Sequence, residues 1–411
     1  MSKKLIGACV FGQSGGPTSV INASAYGVIK TALESTEITN IYGAAHGIVG
    51  VLDEILYDVG KEDAYELSLL MNTPSSELGS CRYKIKDERD LRRIHEVFEK
   101  YNIRYFFYNG GNDSMDTCMK VSEYMDRVGY ECRVIGVPKT IDNDLCGTDH
   151  CPGFGSAAKY IATTIAEVYK DSYVYDTGTI TIVEIMGRNA GWLTGSSALA
   201  GLTGLPPDLI YLPEITFDMD EFLENVESVY KMKNNCLVTV SEGIRYADGT
   251  FVAKAKVSAT DGFGHAQLGG TAMRLAAAVR HKTGAKVRDI ELSLLQRCAA
   301  HLASQTDVDE AFLAGKSAVE CALSGDTGKM VAFAREYIDG KYNCKIECLP
   351  LSVCANMEKS VPREWITEAG TYVTREFIDY VLPLIQGESH RHIENGLPRF
   401  AKLKKFRADR R

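Results

Sequence analysis

No apolar run in this chain is long enough to cross a bilayer, and the start, Met1-Ser2-Lys3-Lys4-Leu5-Ile6-Gly7, turns to glycine too early for a secretory signal. A cytoplasmic protein with no membrane partner is therefore expected. Positive charge is in deficit: 46 Lys and Arg stand against 54 Asp and Glu, a formal net charge of -8. That balance favours solubility and argues against nucleic acid as a partner. The locally basic stretch 402–411 reads as a solvated helix end or a frayed terminus. There is no C-x-x-C pair. The twelve cysteines are dispersed, mostly in apolar strand-like runs as at Cys9, Cys132 and Cys236, where they act as small buried hydrophobes. Even the densest set, Cys344, Cys348 and Cys354, has no histidine at ligand spacing, so neither a disulfide framework nor zinc is expected. Internal repeats and low-complexity segments are missing as well.

A nicotinamide dehydrogenase is disfavoured by two further absences. The fingerprint G-x-G-x-x-G does not occur, and the second candidate strand ends on His46 rather than on an acid that could hold a ribose.

What is present is ordinary globular material, 45% hydrophobic and 24% charged over 411 residues, enough for two or three domains. Strand-like runs at 5–11, 103–108, 132–137, 179–185, 208–212, 235–241 and 288–291 alternate with helix-like runs at 20–33, 112–124, 154–169 and 264–281. Such alternation predicts a doubly wound α/β architecture, whose ligands bind beyond the carboxyl ends of the strands. Several strand ends carry suitable chemistry. Gly15 and Gly16 follow the first strand, where backbone N–H groups can face a phosphate. Arg82 follows two small residues. Gly110 and Gly111 precede Asn112, Asp113 and Ser114, which are helix N-cap types but also allow a carboxylate to reach a metal through water. Glycine-flanked Arg188 opens another helix, and Glu242 ends a further strand, to accept from a sugar hydroxyl or merely to cap a turn. The last third, from about Val331, shows no comparable loop and is expected to complete the fold.

The centre of the pattern is Lys139-Thr140-Ile141-Asp142-Asn143-Asp144, directly after the apolar run 132–137. Lys139 would neutralise phosphate oxygens, Thr140 would donate a hydrogen bond, and Asp142 would draw the proton from an attacking hydroxyl. If the loop is extended, Asp142 and Asp144 share a face, and the second helps to hold a metal. An Asx-rich turn is the plain alternative.

Thr140-Ile141-Asp142-Asn143-Asp144, the two glycine loops and Met186-Gly187-Arg188, in this order, resemble the 6-phosphofructokinase family from about residue 5 to about residue 325, and the stretch 383–403 resembles the tail of its longer, pyrophosphate-using members. The resemblance implies two facing Rossmann-like domains with the active site in the cleft plus a C-terminal extension. The phosphoryl-donor domain would be 1–150 with about 295–330, the fructose 6-phosphate domain 151–294, and the extension 331–411. It implies pyrophosphate and fructose 6-phosphate as substrates, Mg²⁺ as cofactor, and a homodimer or homotetramer. Asp142 becomes the general base toward the sugar's 1-hydroxyl. Thr140, Met186, Gly187, Arg188 and Glu242 would line the sugar phosphate site, with Arg297 close by, and Arg288, often supplied by a neighbouring subunit, would grip the 6-phosphate. Where ATP-using members have glycine this chain has Asp113 and Lys139, which would crowd a nucleotide.

The chain departs from the family at Asn112, in place of the usual metal-associated aspartate, leaving Asp113 or Asp144 to compensate. It departs also at Thr179, in place of an arginine, and at Leu294, in place of histidine or tyrosine. The competing readings are an ATP-dependent enzyme and a non-catalytic regulatory subunit. Retention of Lys139, Asp142 and Arg188 argues against the latter.

Overall fold

The computed structural model describes residues 4–174, 176–253, 269–355 and 357–409. A seven-stranded sheet holds β1 (Gly7–Gln13), β2 (Ile38–Ala44), β3 (Leu56–Asp58), β4 (Ile103–Gly110), β5 (Arg133–Pro138), β10 (Lys329–Ile338) and β11 (Lys341–Pro350), in the order β11-β10-β5-β4-β1-β2-β3. A second sheet holds β6 (Thr179–Ile185), β7 (Leu209–Tyr211), β8 (Cys236–Ser241) and β9 (Lys286–Glu291), in the order β7-β8-β6-β9. All neighbours in the smaller sheet are parallel, and in the larger one only β3 and β11 run against their neighbours. Strands β1 and β6 are buried at every residue. Parallel strands covered on both faces favour apolar residues, as in the centre of β1, whereas β6 also buries Thr179, Thr181 and Glu184. The mixed α/β class expected from sequence is observed.

Two features bring the strand ends together. In the larger sheet the C-terminal residues are in register, with Gln13 opposite Asn109 and Gly110 opposite Pro138. Across its face, the helices Ile21–Leu33 and Gln305–Ser324 pack through glycines: a Cβ on Gly315 would lie 2.0 Å from the carbonyl of Ser24, and one on Gly27 would lie 2.2 Å from that of Phe312. This close approach places Asp307, 2% exposed, at the start of the helix Phe154–Ser172, whose first N–H groups it accepts from Gly153 at 2.8 Å and Ser156 at 2.9 Å. A carboxylate from a distant helix thus supplies the cap that the local sequence lacks.

Several expectations need correction. Cys321 and Cys348 are joined as a disulfide between the helix Gln305–Ser324 and β11, although their sequence surroundings suggested only buried thiols. Over residues 402–409 the expected helix end or frayed terminus is not observed: Asp58 N–H donates to the Phe406 carbonyl at 2.8 Å and Ala408 N–H to the Leu56 carbonyl at 2.9 Å, so this segment pairs with β3. The predicted helix 264–281 is observed as Thr271–Thr283, with 264–268 outside the described residues. Strand β10 spans the junction expected at 330/331 and pairs with β5.

Candidate active site

The loops beyond β1, β4 and β5 enclose a cleft of about 600 Å³, lined by Gly15, Gly16, Arg82, Gly111, Asn112, Asp113, Lys139, Thr140, Asp142, Asp144 and Arg297, with Pro17, Ser114, Ile141, Met186 and Glu358. It is the crevice outside the carboxyl ends of the strands that the fold favours for ligands. Met186 comes from the end of β6, so both sheets contribute.

One wall is cationic. Lys139 is only 4% exposed, and its Nζ donates to the Gly16 carbonyl at 2.7 Å. Gly15 has φ +77°, and a Cβ there would lie 3.1 Å from the Lys139 ammonium. A Cβ on Gly16 would lie 3.2 Å from Arg297 and 3.6 Å from Arg82. Three cations therefore converge on two glycines, and any side chain on either glycine would enter the space among them. Burial lowers the Lys139 pKa to about 8, opposed by Asp142 and Asp144. Arg297, expected close to the sugar phosphate site, lines this cleft beside the glycine turn.

The facing wall is acidic. Burial, with Glu242 nearby, raises the Asp142 pKa to about 6 against the pull of Lys139 and Arg188. Burial, then Asp142 and Glu358, raises Asp144 to about 7. The loop is not extended. Residues 141–142 form a turn, Asp142 N–H donates to Thr140 Oγ1 at 3.0 Å, and Asn143 is left-handed at φ 54°. Asn tolerates that conformation better than most residues. The shared-face geometry expected for an extended Asp142 and Asp144 therefore does not apply.

Asp113 lies in the first turn of the helix Asn112–Arg127, whose N-cap is Gly111 rather than one of the polar residues that follow. Its carboxylate pairs with Lys84 at 2.9 Å. The side-chain oxygen of Asn112 is buried without a hydrogen-bond partner. With the Asp144 carboxylate it offers hard oxygen donors of the kind Mg²⁺ accepts. Among the described residues, the groups of three acidic, histidine or cysteine ligand atoms that meet lie outside the cleft. A cation in the cleft would thus rely on few protein oxygens and keep positions for phosphate or water. The His150, Glu310 and Cys344 group is occupied internally, since His150 bonds Asp149 at 2.8 Å and Glu310 at 2.7 Å.

On the second sheet, Gly187 at φ 138° donates its N–H to Glu242 Oε1 at 3.4 Å, and Ser241 Oγ donates to the Gly187 carbonyl. Arg188 and Glu242 stand behind the cleft lining, close enough to act on Asp142. The helix after Arg188 begins only at Trp192. Arg288 is not brought to the cleft of this chain. It pairs with Asp171 at 2.8 Å beside a separate cavity of about 280 Å³ that includes Thr181 and Ile290. Thr179 is buried at the start of β6, and Leu294 is exposed.

Glu358 was missed by sequence reading, which expected nothing for the cleft from the last third of the chain. It pairs by backbone with Leu145 and accepts from Asn189 Nδ2 at 3.2 and 3.0 Å, joining the loops of the two sheets. No glycine turn or strand end marks it.

The family model described as Phosphofructokinase matches residues 9–322. A protein of Halomonas elongata named pyrophosphate--fructose 6-phosphate 1-phosphotransferase is 47% identical over 98% of this chain and 97% of its own length. One of the same name from Methylococcus capsulatus is 43% identical over 96% and 95%. The crystal structure of a pyrophosphate-dependent phosphofructokinase from Nitrosospira multiformis superposes with a TM-score of 0.90 at 41% identity, covering 98% of each chain. Cleft, fold and likeness agree over nearly the whole length: the chain belongs to the phosphofructokinase family.

Proposed function

We propose that this chain transfers a phosphoryl group reversibly between pyrophosphate and the 1-hydroxyl of fructose 6-phosphate, giving fructose 1,6-bisphosphate and phosphate. The observation that carries this reading is the convergence of Lys139, Arg82 and Arg297 on Gly15 and Gly16, in the same cleft as the half-buried Asp142 carboxylate. A compact dianion or trianion fits among three cations, and a base stands where the acceptor would lie. Gly15, Gly16 and Gly111 let the backbone approach the diphosphate, and Arg82 and Arg297 hold its oxygens. Asp142 takes the proton as the hydroxyl attacks, and its pKa, raised to about 6 by burial, suits a base working near neutrality. Lys139 stabilises charge as the bridge breaks. Thr140, Met186, Gly187, Arg188 and Glu242 orient the sugar phosphate.

Members of the family generally use a divalent metal. Here we assign Mg²⁺, held through Asn112 and Asp144, which when bound would neutralise and orient phosphate oxygens. No helix among the described residues is long and apolar enough to cross a membrane, and we place the enzyme in the cytoplasm. We infer a homodimer or homotetramer, in which Arg288, absent from the lining of this chain's own cleft, would grip the 6-phosphate in a neighbouring subunit's cleft.

Purified protein given fructose 6-phosphate and Mg²⁺ should turn over with pyrophosphate and show little activity with ATP. Comparable rates with both, or none with either, would overturn the proposal. Arg288→Ala should raise the KM for fructose 6-phosphate far more than that for pyrophosphate, since a charge-assisted contact of about 1.5 to 3 kcal/mol is lost on one substrate only. Equal effects on both would leave Arg288 with its Asp171 ion pair and no part in binding.

A further inference from the structure

Tyr380 lies in the helix Arg375–Val381, far along the chain from the central loop. Its ring is buried against Trp192, Trp365 and the Arg335 guanidinium, at 5.3, 5.2 and 4.5 Å. Packing on three sides fixes the ring and leaves its hydroxyl a single place. From there it donates to the Asp149 carbonyl at 2.5 Å and accepts from Asn143 Nδ2 at 2.9 Å. Asn143 stands between Asp142 and Asp144, fully buried, and its side-chain oxygen accepts from Cys151 N–H at 3.0 Å. Both ends of this amide are therefore tied down, one to the strand of chain that follows the turn and one to a helix from the last third. Because residue 143 is left-handed, its backbone sets the directions in which the two carboxylates leave the loop.

We propose that Tyr380 is a positioning residue for phosphoryl transfer, whose hydroxyl holds Asn143 and thereby aims the Asp142 carboxylate. This rests on the reading of Asp142 as the general base. Tyr380→Phe removes one oxygen and keeps the ring packing. It should lower kcat on the order of 10- to 100-fold, the loss expected when a reacting group is misplaced by a fraction of an ångström to an ångström. The KM values for both substrates and the thermal unfolding midpoint should remain near wild type. Tyr130 supplies the control. Its buried hydroxyl donates to Phe98 and Ile103 carbonyls at 3.0 and 2.9 Å, at the far ends of β4 and β5 from the cleft. Tyr130→Phe should leave kcat within about twofold, as for a substitution that removes a hydrogen bond distant from the chemistry.

The pathway of the effect is tested in an Asp142→Asn background. If Tyr380 acts by aiming the base, Tyr380→Phe should there change turnover by less than about threefold, because residues that act as a unit are not additive. An unchanged kcat in Tyr380→Phe would overturn the proposal, as would a full additional loss in the Asp142→Asn background. Near-wild-type turnover of Asp142→Asn alone would overturn the base assignment, and with it the claim that Tyr380 works through Asp142.

Discussion

Asp142→Asn is expected to lower turnover by about 10² to 10⁴ with modest change in the KM for fructose 6-phosphate, the range for removing a general base while keeping shape and hydrogen-bond reach. The structure gives the reason for the isolated effect. The Asp142 backbone N–H is already held by Thr140 Oγ1, so an amide side chain leaves the turn's own hydrogen bonding in place. Substitution also removes one of the two carboxylates that compete for protons in the same pocket, which eases rather than strains the fold. Steady-state kinetics with pyrophosphate, alongside thermal unfolding, is the measurement. Retained turnover would shift suspicion to Asp144, the other carboxylate that the 139–144 loop brings to the cleft.

The second large effect concerns the donor. Lys139→Gly should depress pyrophosphate turnover by about 10² to 10³, the loss typical of one preorganised charge at the reacting centre. Part of that loss comes through the loop, since the same ammonium anchors the Gly16 carbonyl. Asp113→Gly should act differently. Its carboxylate stands at the mouth of the helix Asn112–Arg127, held by Lys84 at 2.9 Å, where bulk and like charge would oppose the additional phosphate of ATP. Removing it should let some ATP activity appear while pyrophosphate activity falls only moderately. The check is a pair of donor-saturation curves for each variant. A folded Asp113→Gly enzyme still blind to ATP would place donor selection elsewhere, and a Lys139→Gly enzyme with near-normal pyrophosphate turnover would remove the ammonium from the chemistry.

Much of this was readable from sequence because the relevant signals are local. Strand β6 runs over Thr179–Ile185 as the strand-like run predicts, and the glycine turns, Arg82 and the 139–144 loop all line or adjoin the cleft. Long-range pairing was not readable. Glu358 reaches the cleft only because it bridges to Leu145, and Tyr380 reaches Asn143 only because a helix packs on Trp192. Neither carries a sequence mark of its own. The Cys321–Cys348 disulfide was hidden in the same way, since its partners look like ordinary buried thiols until β11 folds back. Asn143 is an intermediate case. Its residue type permits the left-handed turn that overturned the extended reading of Asp142 and Asp144, but the type alone does not require it.

The pairing of residues 406–408 with β3 bears on how the chain is made. Strand β3 is short and emerges early in synthesis, whereas the segment that satisfies its outer N–H and C=O groups is added almost a whole chain later. During that interval an unpaired strand is a template for pairing with other nascent copies. Its brevity, three residues, limits the hazard by offering little to join. The basic tail that looked like a loose end is therefore the segment that covers the outer edge of β3.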